Sequence, residues 1–168
     1  MRALLVVMAL SVPVAASASN CPVGVTDQLE GLYGWQLARQ NTSGRGDLGL
    51  VIKRLTPALY QQLKRAWDLD PRVDGAYLDF DVFSGTQVTT FAASVTGCRK
   101  LSGERIDADV AVRAGLRDRA AEAPVLLTYQ MQRMGDAWRI ADIRYGTSGH
   151  LLTNTLSQLL KAASRAPR

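Results

Sequence analysis

"RIDADVAVR", Arg105 to Arg113, alternates with a period of two: Ile106, Ala108, Val110 and Val112 share one face, and Arg105, Asp107, Asp109 and Ala111 share the other. Such alternation marks a strand with one face against a core and one toward water. The β-rich "QVTTFAASVTGCR" precedes it, and "PVLLTYQMQRM" and "AWRIADIRY" follow, the last two joined through Gly135-Asp136 as a hairpin. The stretch therefore centres an antiparallel sheet of about four strands.

Upstream of Gly75 the period is helical. From Thr26, "TDQLEGLYGWQLARQ" sets Leu29, Leu32, Tyr33 and Leu37 on one stripe, with Asp27 and Glu30 in the first turn, where the helix dipole favours acids. Gly31 and Gly34 either weaken this helix or allow close packing against it. In "LTPALYQQLKRAWDLDP", Thr56 caps a second helix, Pro57 fits its first position and Asp70-Pro71 stops it, with Leu59, Leu63, Ala66 and Trp67 on one face. The "LGLVIKR" before it reads as a helical turn or a short helix. At the other end, "SGHLLTNTLSQLLKAAS" sets Leu152, Leu156, Leu159, Leu160 and Ala163 on one stripe, with Ser148 as the expected cap and His150 at the helix start. Helices, then strands, then a helix is a segregated α+β order. Helices on one face of a curved sheet would enclose a cone-shaped cavity.

The chain has 168 residues, 47% of them hydrophobic, and contains no repeat or low-complexity linker, so one domain is expected over residues 19–168. Residues 1–18 read as a secretory signal peptide: a basic Arg2, an apolar run from Ala3 to Ala16, and the small-residue ending Ala16-Ser17-Ala18. The run is shorter than the roughly twenty residues a spanning helix needs. Cys21 follows Ala18, Ser19 and Asn20, whereas a lipid-attachment signal prefers Leu three residues before its cysteine and Gly or Ala directly before it. The expectation is a soluble periplasmic or secreted protein with no transmembrane span after cleavage. Cys21 and Cys98 would both meet an oxidising compartment, which leaves a bridge or two free thiols open. The formal charge of +5 is spread over scattered basic residues with no aromatic interleaving, so nucleic acid is not an expected partner.

Three segments carry a resemblance. "LTPALYQQL", "LDFDVFSGTQ" and "AWRIADIRY" together resemble the YbjP/YqhG-like family of uncharacterised bacterial envelope proteins, and the element order with the ending "WRIADI" resembles the cone fold of nuclear transport factor two and ketosteroid isomerase. The resemblance covers roughly Asp27 to Leu160. It departs at Val88, where the family often has an Asp after the Gln, and in lacking the lipid-attachment cysteine of many relatives. It implies a fold and a compartment but no activity.

The chemistry-bearing residues centre on "YLDFDVFSGTQ", Tyr77 to Gln87. Alternation sends Asp79 and Asp81 to one side of an extended segment and Leu78, Phe80 and Val82 to the other. The aspartates then either accept hydrogen bonds from loop N–H groups or pair with arginines, anchoring the crossing from helix to sheet, or they serve a ligand. Acid–base work in an apolar cone is a further reading, with Asp79, Asp81, Asp142, Tyr77, Tyr129 and Tyr145 as the available groups. The ligand region expected at the mouth of the cone is Tyr33, Asp79, Asp81, Gln87 and Tyr145.

No metal or cofactor is expected. On the calcium-loop pattern, "DPRVDGAYLDFD" puts Arg72 at a ligand position and an Asp where a Glu is preferred. "GRGDLG", Gly44 to Gly49, lacks the strand before it and the parallel unit that a phosphate cradle requires. His150 is the sole histidine, which reads better as a surface residue than as a catalytic base. The functional expectation is a non-enzymatic domain that binds a small molecule or an envelope protein. The alternatives are a small isomerase, dehydratase or hydrolase with an Asp base, and an immunity or inhibitor protein.

Overall fold

The computed structural model describes residues 21–40, 46–74, 76–116 and 119–165; the expected signal at 1–18 and residues 41–45 of the "NTSGRGD" loop lie outside the described residues. Helix α1 spans Val23–Arg39. It begins three residues before the expected Thr26 because Pro22 stands at its N-cap, where its carbonyl receives the Val25 and Thr26 amides. Asp27 and Glu30 therefore lie beyond the first turn. The buried stripe is Val25, Leu29, Leu32, Tyr33 and Gln36, so a glutamine takes the place expected for Leu37. Gly31 serves close packing: a Cβ there would meet the Arg54 guanidinium at 2.0 Å. Arg54 lies across the helix and donates to the carbonyls of Asp27 and Gln28.

A 3-10 helix, Leu48–Arg54, is opened by Asp47, whose side chain accepts from the Gly49 amide. Helix α2, Pro57–Trp67, starts as its sequence dictates, with Thr56 accepting from the Leu59 amide and Pro57 in the first turn. It stops at Trp67, ahead of Asp70-Pro71, and one further turn follows as α3, Pro71–Asp74. The Asp70 and Asp74 carboxylates accept from the Arg72 and Asp70 amides respectively, so both are used in holding this turn.

The sheet has four long strands, β1 (Thr89–Lys100), β2 (Arg105–Leu116), β4 (Val125–Met134) and β5 (Ala137–Tyr145), plus the two-residue β3 (Arg119–Ala120) and β6 (His150–Leu151). All pairings are antiparallel, in the order β1-β2-β4-β5-β6, with β3 beside the end of β2. Six strands stand where about four were expected, since a two-residue pairing carries no periodicity to read. His150 accordingly sits in β6 and is exposed. Irregular register at Thr90/Ala92, Val95/Gly97 and Gln130/Met131 introduces bulges, which bend and twist strands.

On β2, Ile106, Ala108, Val110 and Val112 are buried as the alternation requires, and they join Leu127, Tyr129 and Met131 of β4 in the core. Asp107, on the opposite face, is also buried, because Arg99 and Arg144 lie over it at 2.6 and 3.6 Å. α1 packs chiefly on β1 and β5, and residues 82–85 meet Leu127 and Tyr129 of β4 and Tyr145 of β5. Cys21 and Cys98 form a disulfide that ties the start of α1 to β1 across 77 residues of sequence. A closed loop of that length stabilises by about 4 kcal/mol in the chain-entropy view.

Helix α4, Leu152–Ala163, packs on α2 and β5. Its cap is Asp142 of β5: Oδ1 accepts from the Thr153 amide at 3.1 Å and Oδ2 from the Thr153 hydroxyl at 2.5 Å. Ser148, the expected cap, instead donates its hydroxyl to the Tyr145 carbonyl. Asp142→Ala should thus lower the unfolding free energy by about 2 kcal/mol, as for buried hydrogen bonds to a charged group. Ser148→Ala should stay within about 0.5 kcal/mol. Urea denaturation of the two variants checks the assignment, and equal losses would contradict it.

Candidate functional site

Between α3 and β1 the chain crosses from helix to sheet through residues 76–88, and this crossing builds the site. Val82, Phe83 and Ser84 are fully buried. They lie in a tight turn closed by a bridge between Asp81 and Thr86, with the Gly85 amide donating to the Asp81 carbonyl at 2.8 Å. Gly85 has φ +66°, and a Cβ there would come within 3.0 Å of Tyr145 Cδ1 and 3.1 Å of Leu127 Cδ2. A side chain at this position would be both strained and crowded.

The Asp81 carboxylate organises the turn. Oδ1 accepts from the amides of Phe83 (2.9 Å) and Ser84 (3.1 Å), and Oδ2 accepts from Gln36 Nε2 (2.5 Å) and from the Arg39 guanidinium. The first pair is the local bond by which an aspartate fixes the backbone after it. The second ties the turn to the last turns of α1. Arg39 Nε also donates to Gln36 Oε1 at 2.9 Å, and its guanidinium lies 4.9 Å from the Trp35 ring centroid and 5.5 Å from that of Trp67. This is the anchoring role that loop N–H groups and an arginine were expected to give.

Three tyrosines hold the inner side of the turn. The Phe83 carbonyl is 2.7 Å from both the Tyr33 and the Tyr129 hydroxyls, which are 2.9 Å from each other. Two hydroxyl protons thus serve three close contacts. Tyr145 donates to the Val82 carbonyl at 2.8 Å. Burial, the largest cause in each case, pushes all three hydroxyls well above the ordinary tyrosine range. Tyr33 and Tyr145, expected at an open mouth, are here packed against the turn with their hydroxyls engaged. Tyr33 also lines a separate cavity of about 200 Å³ between α1 and the sheet, with Leu29, Ala93, Val95 and Val110.

The outer side of the turn faces a groove of about 280 Å³. Arg39 and Trp67 form one side, Leu78, Phe80 and Val88 supply apolar surface, and Asp79, Asp81, Thr86 and Gln87 supply polar groups. Asp79, Asp81 and Gln87 are thus together. As the alternation requires, Leu78 and Phe80 pack against the core and Val82 is fully buried while Asp79 is exposed; Leu78 and Phe80 also reach the groove, and the pattern ends where residues 82–85 turn. Asp79 is exposed, and among the described residues it accepts only from Gln87 Nε2, at 3.5 Å. The two aspartates have therefore separated in role, one saturated and structural, one open at the rim.

Arg39, Gln36 and Trp67 were not in the expected site. Gln36 had a sequence signal: a polar side chain one helical turn from Leu32 and Tyr33, on the stripe that faces the core. Arg39 had none, since an arginine ending a helix is ordinary. Tyr77 is exposed, and Asp142 is engaged with α4 and lies outside the groove. No family model matches the chain, and searches of curated proteins and of solved structures return no match.

Two outcomes follow from this geometry. Asp81→Ala leaves two backbone amides and a half-buried guanidinium without their acceptor and should cost about 2–4 kcal/mol. Asp79→Ala should stay within about 0.5 kcal/mol, as judged by urea denaturation. Secondly, hydroxyls whose values are raised by folding contribute stability that is fully present below the ordinary tyrosine value of about 10 and is lost as pH rises toward the folded-state values. Three of them together predict a fall of about 4 kcal/mol per pH unit above pH ~10, at about 1.4 kcal/mol per proton. Absorbance of tyrosinate should show three of the five tyrosines ionising only with unfolding; ionisation of all five in a still-native protein would contradict this.

Proposed function

We propose that the chain is an exported envelope protein of the cone type that binds a ligand, without transforming it, in the groove between Arg39, Trp67 and the Asp79–Gln87 rim. The observation that carries this reading is the division of labour between the two aspartates. Asp81 is saturated by four donors and fixes the groove wall, so the polar groups left at the rim, Asp79 and the Gln87 amide, are presented on a rigid frame. A pocket of mixed apolar walls with a few placed polar groups is the usual form of a small-molecule site. Binding is favoured over proton abstraction because Asp81 has its lone pairs engaged and Asp79 lies in the open, where nothing removes water from it.

Export is supported by the basic and apolar N-terminal stretch and by the Cys21–Cys98 bridge, which suits an oxidising compartment. No helix among the described residues is long and apolar enough to cross a membrane. The test is an NMR titration of the 15N-labelled protein with neutral, anionic and cationic fragments of about ten non-hydrogen atoms each, the size such a pocket holds at about 30 Å³ per water-sized group. Shifts should gather on the Trp67 indole, Asp79 and Gln87, and Trp67→Ala should abolish them. Shifts confined to other surfaces, or unaffected by Trp67→Ala, would refute the groove as the site.

A further inference from the structure

We infer that the groove selects a small organic cation, an ammonium group carried on an apolar body; this rests on the groove being the binding site. Among the described residues its charged side chains are two carboxylates, Asp79 and Asp81, and one guanidinium, Arg39. Arg39 and Asp81 are paired with each other, so the charge that a ligand meets is that of Asp79. Among the described residues Asp79 has a single long partner, the Gln87 amide at 3.5 Å, so it can accept from an incoming donor without breaking a strong bond. The remaining surface suits an apolar body: Leu78, Phe80, Val88 and the Trp67 indole. Aromatic faces in such a wall add attraction for a cation, and Trp67 already lies against one, the Arg39 guanidinium.

The basic balance of the whole chain does not oppose this selection, since charges more than about 8 Å apart are largely screened at physiological salt. Lys64, one turn before Trp67 on α2, is itself paired with Asp68 at 2.6 Å. An anion fares worse, because it would have to displace Asp81 from Arg39 and sit beside Asp79. The volume of about 280 Å³ corresponds to on the order of ten non-hydrogen atoms, which gives room for an ammonium group and an apolar body.

Four probes test this by calorimetry and NMR at low and high salt: 2-phenylethylammonium, 2-phenylethanol, phenylacetate and Nα-acetyl-lysine amide. The ammonium should bind at least about tenfold more tightly than the alcohol, with the carboxylate and the capped lysine weaker than the ammonium. In Asp79→Asn, whose melting temperature should be unchanged, the ammonium and the alcohol should become equal. High salt should weaken the ammonium alone. If phenylacetate shifts the Trp67 indole as strongly as the ammonium, or if Asp79→Asn leaves the ammonium preference intact, the cation inference fails while the groove stands. If the capped lysine binds most tightly, the small-molecule version fails. If none of the four shifts the Trp67 indole, the groove reading fails, and this inference with it.

Discussion

The carboxylate of Asp81 receives two amides from its own turn and two side chains from α1, and the rest of the site depends on that convergence. One oxygen fixes the local backbone; the other fastens that backbone to a helix whose sequence lies more than forty residues away. With the turn held from outside, Val82 and Phe83 project inward and present their carbonyls to Tyr33, Tyr129 and Tyr145. A buried carbonyl without a donor would be costly, and so would a buried hydroxyl, so each set of groups satisfies the other. The core beneath the sheet and the groove above the turn are two sides of one short segment.

That arrangement gives the site its rigidity. Gly85 carries the chain through a left-handed turn in contact with Tyr145 and Leu127, and Phe80 meets the Tyr145 ring edge-on at 5.7 Å. The disulfide at the start of α1 ties the helix to β1, and the Asp81 contacts near its end tie it to the turn. Asp79 and Gln87 then stand on a frame that needs little reorganisation, which would reduce the ordering cost of the proposed binding.

Much of the fold was legible because it rests on periodicity. The alternation of Arg105–Arg113, the Thr56-Pro57 helix start and the Gly135-Asp136 hairpin each contain their own local instructions. What was not legible depends on partners far apart in sequence. The α4 cap comes from Asp142 on a neighbouring strand and not from nearby Ser148, and Asp107 is buried on a polar face only because Arg99 and Arg144 lie over it. The two short strands have too few residues to show a period. In the site, Asp79, Asp81 and Gln87 could be grouped from one motif, but the inward placement of Tyr33 and Tyr145 could not. Alternation presumes an extended strand, and residues 81–86 turn instead.

The central claim is that residues 81–85 are an integral part of the core and not a loop resting on it. Native-state hydrogen exchange tests this most directly, since the Phe83 and Ser84 amides bond to the Asp81 carboxylate and the Gly85 amide to its carbonyl. These three amides should exchange only through global unfolding, with the same free energy and denaturant dependence as the amides of β2 and β4. Exchange through a local opening that is insensitive to denaturant, while the sheet stays protected, would contradict the account.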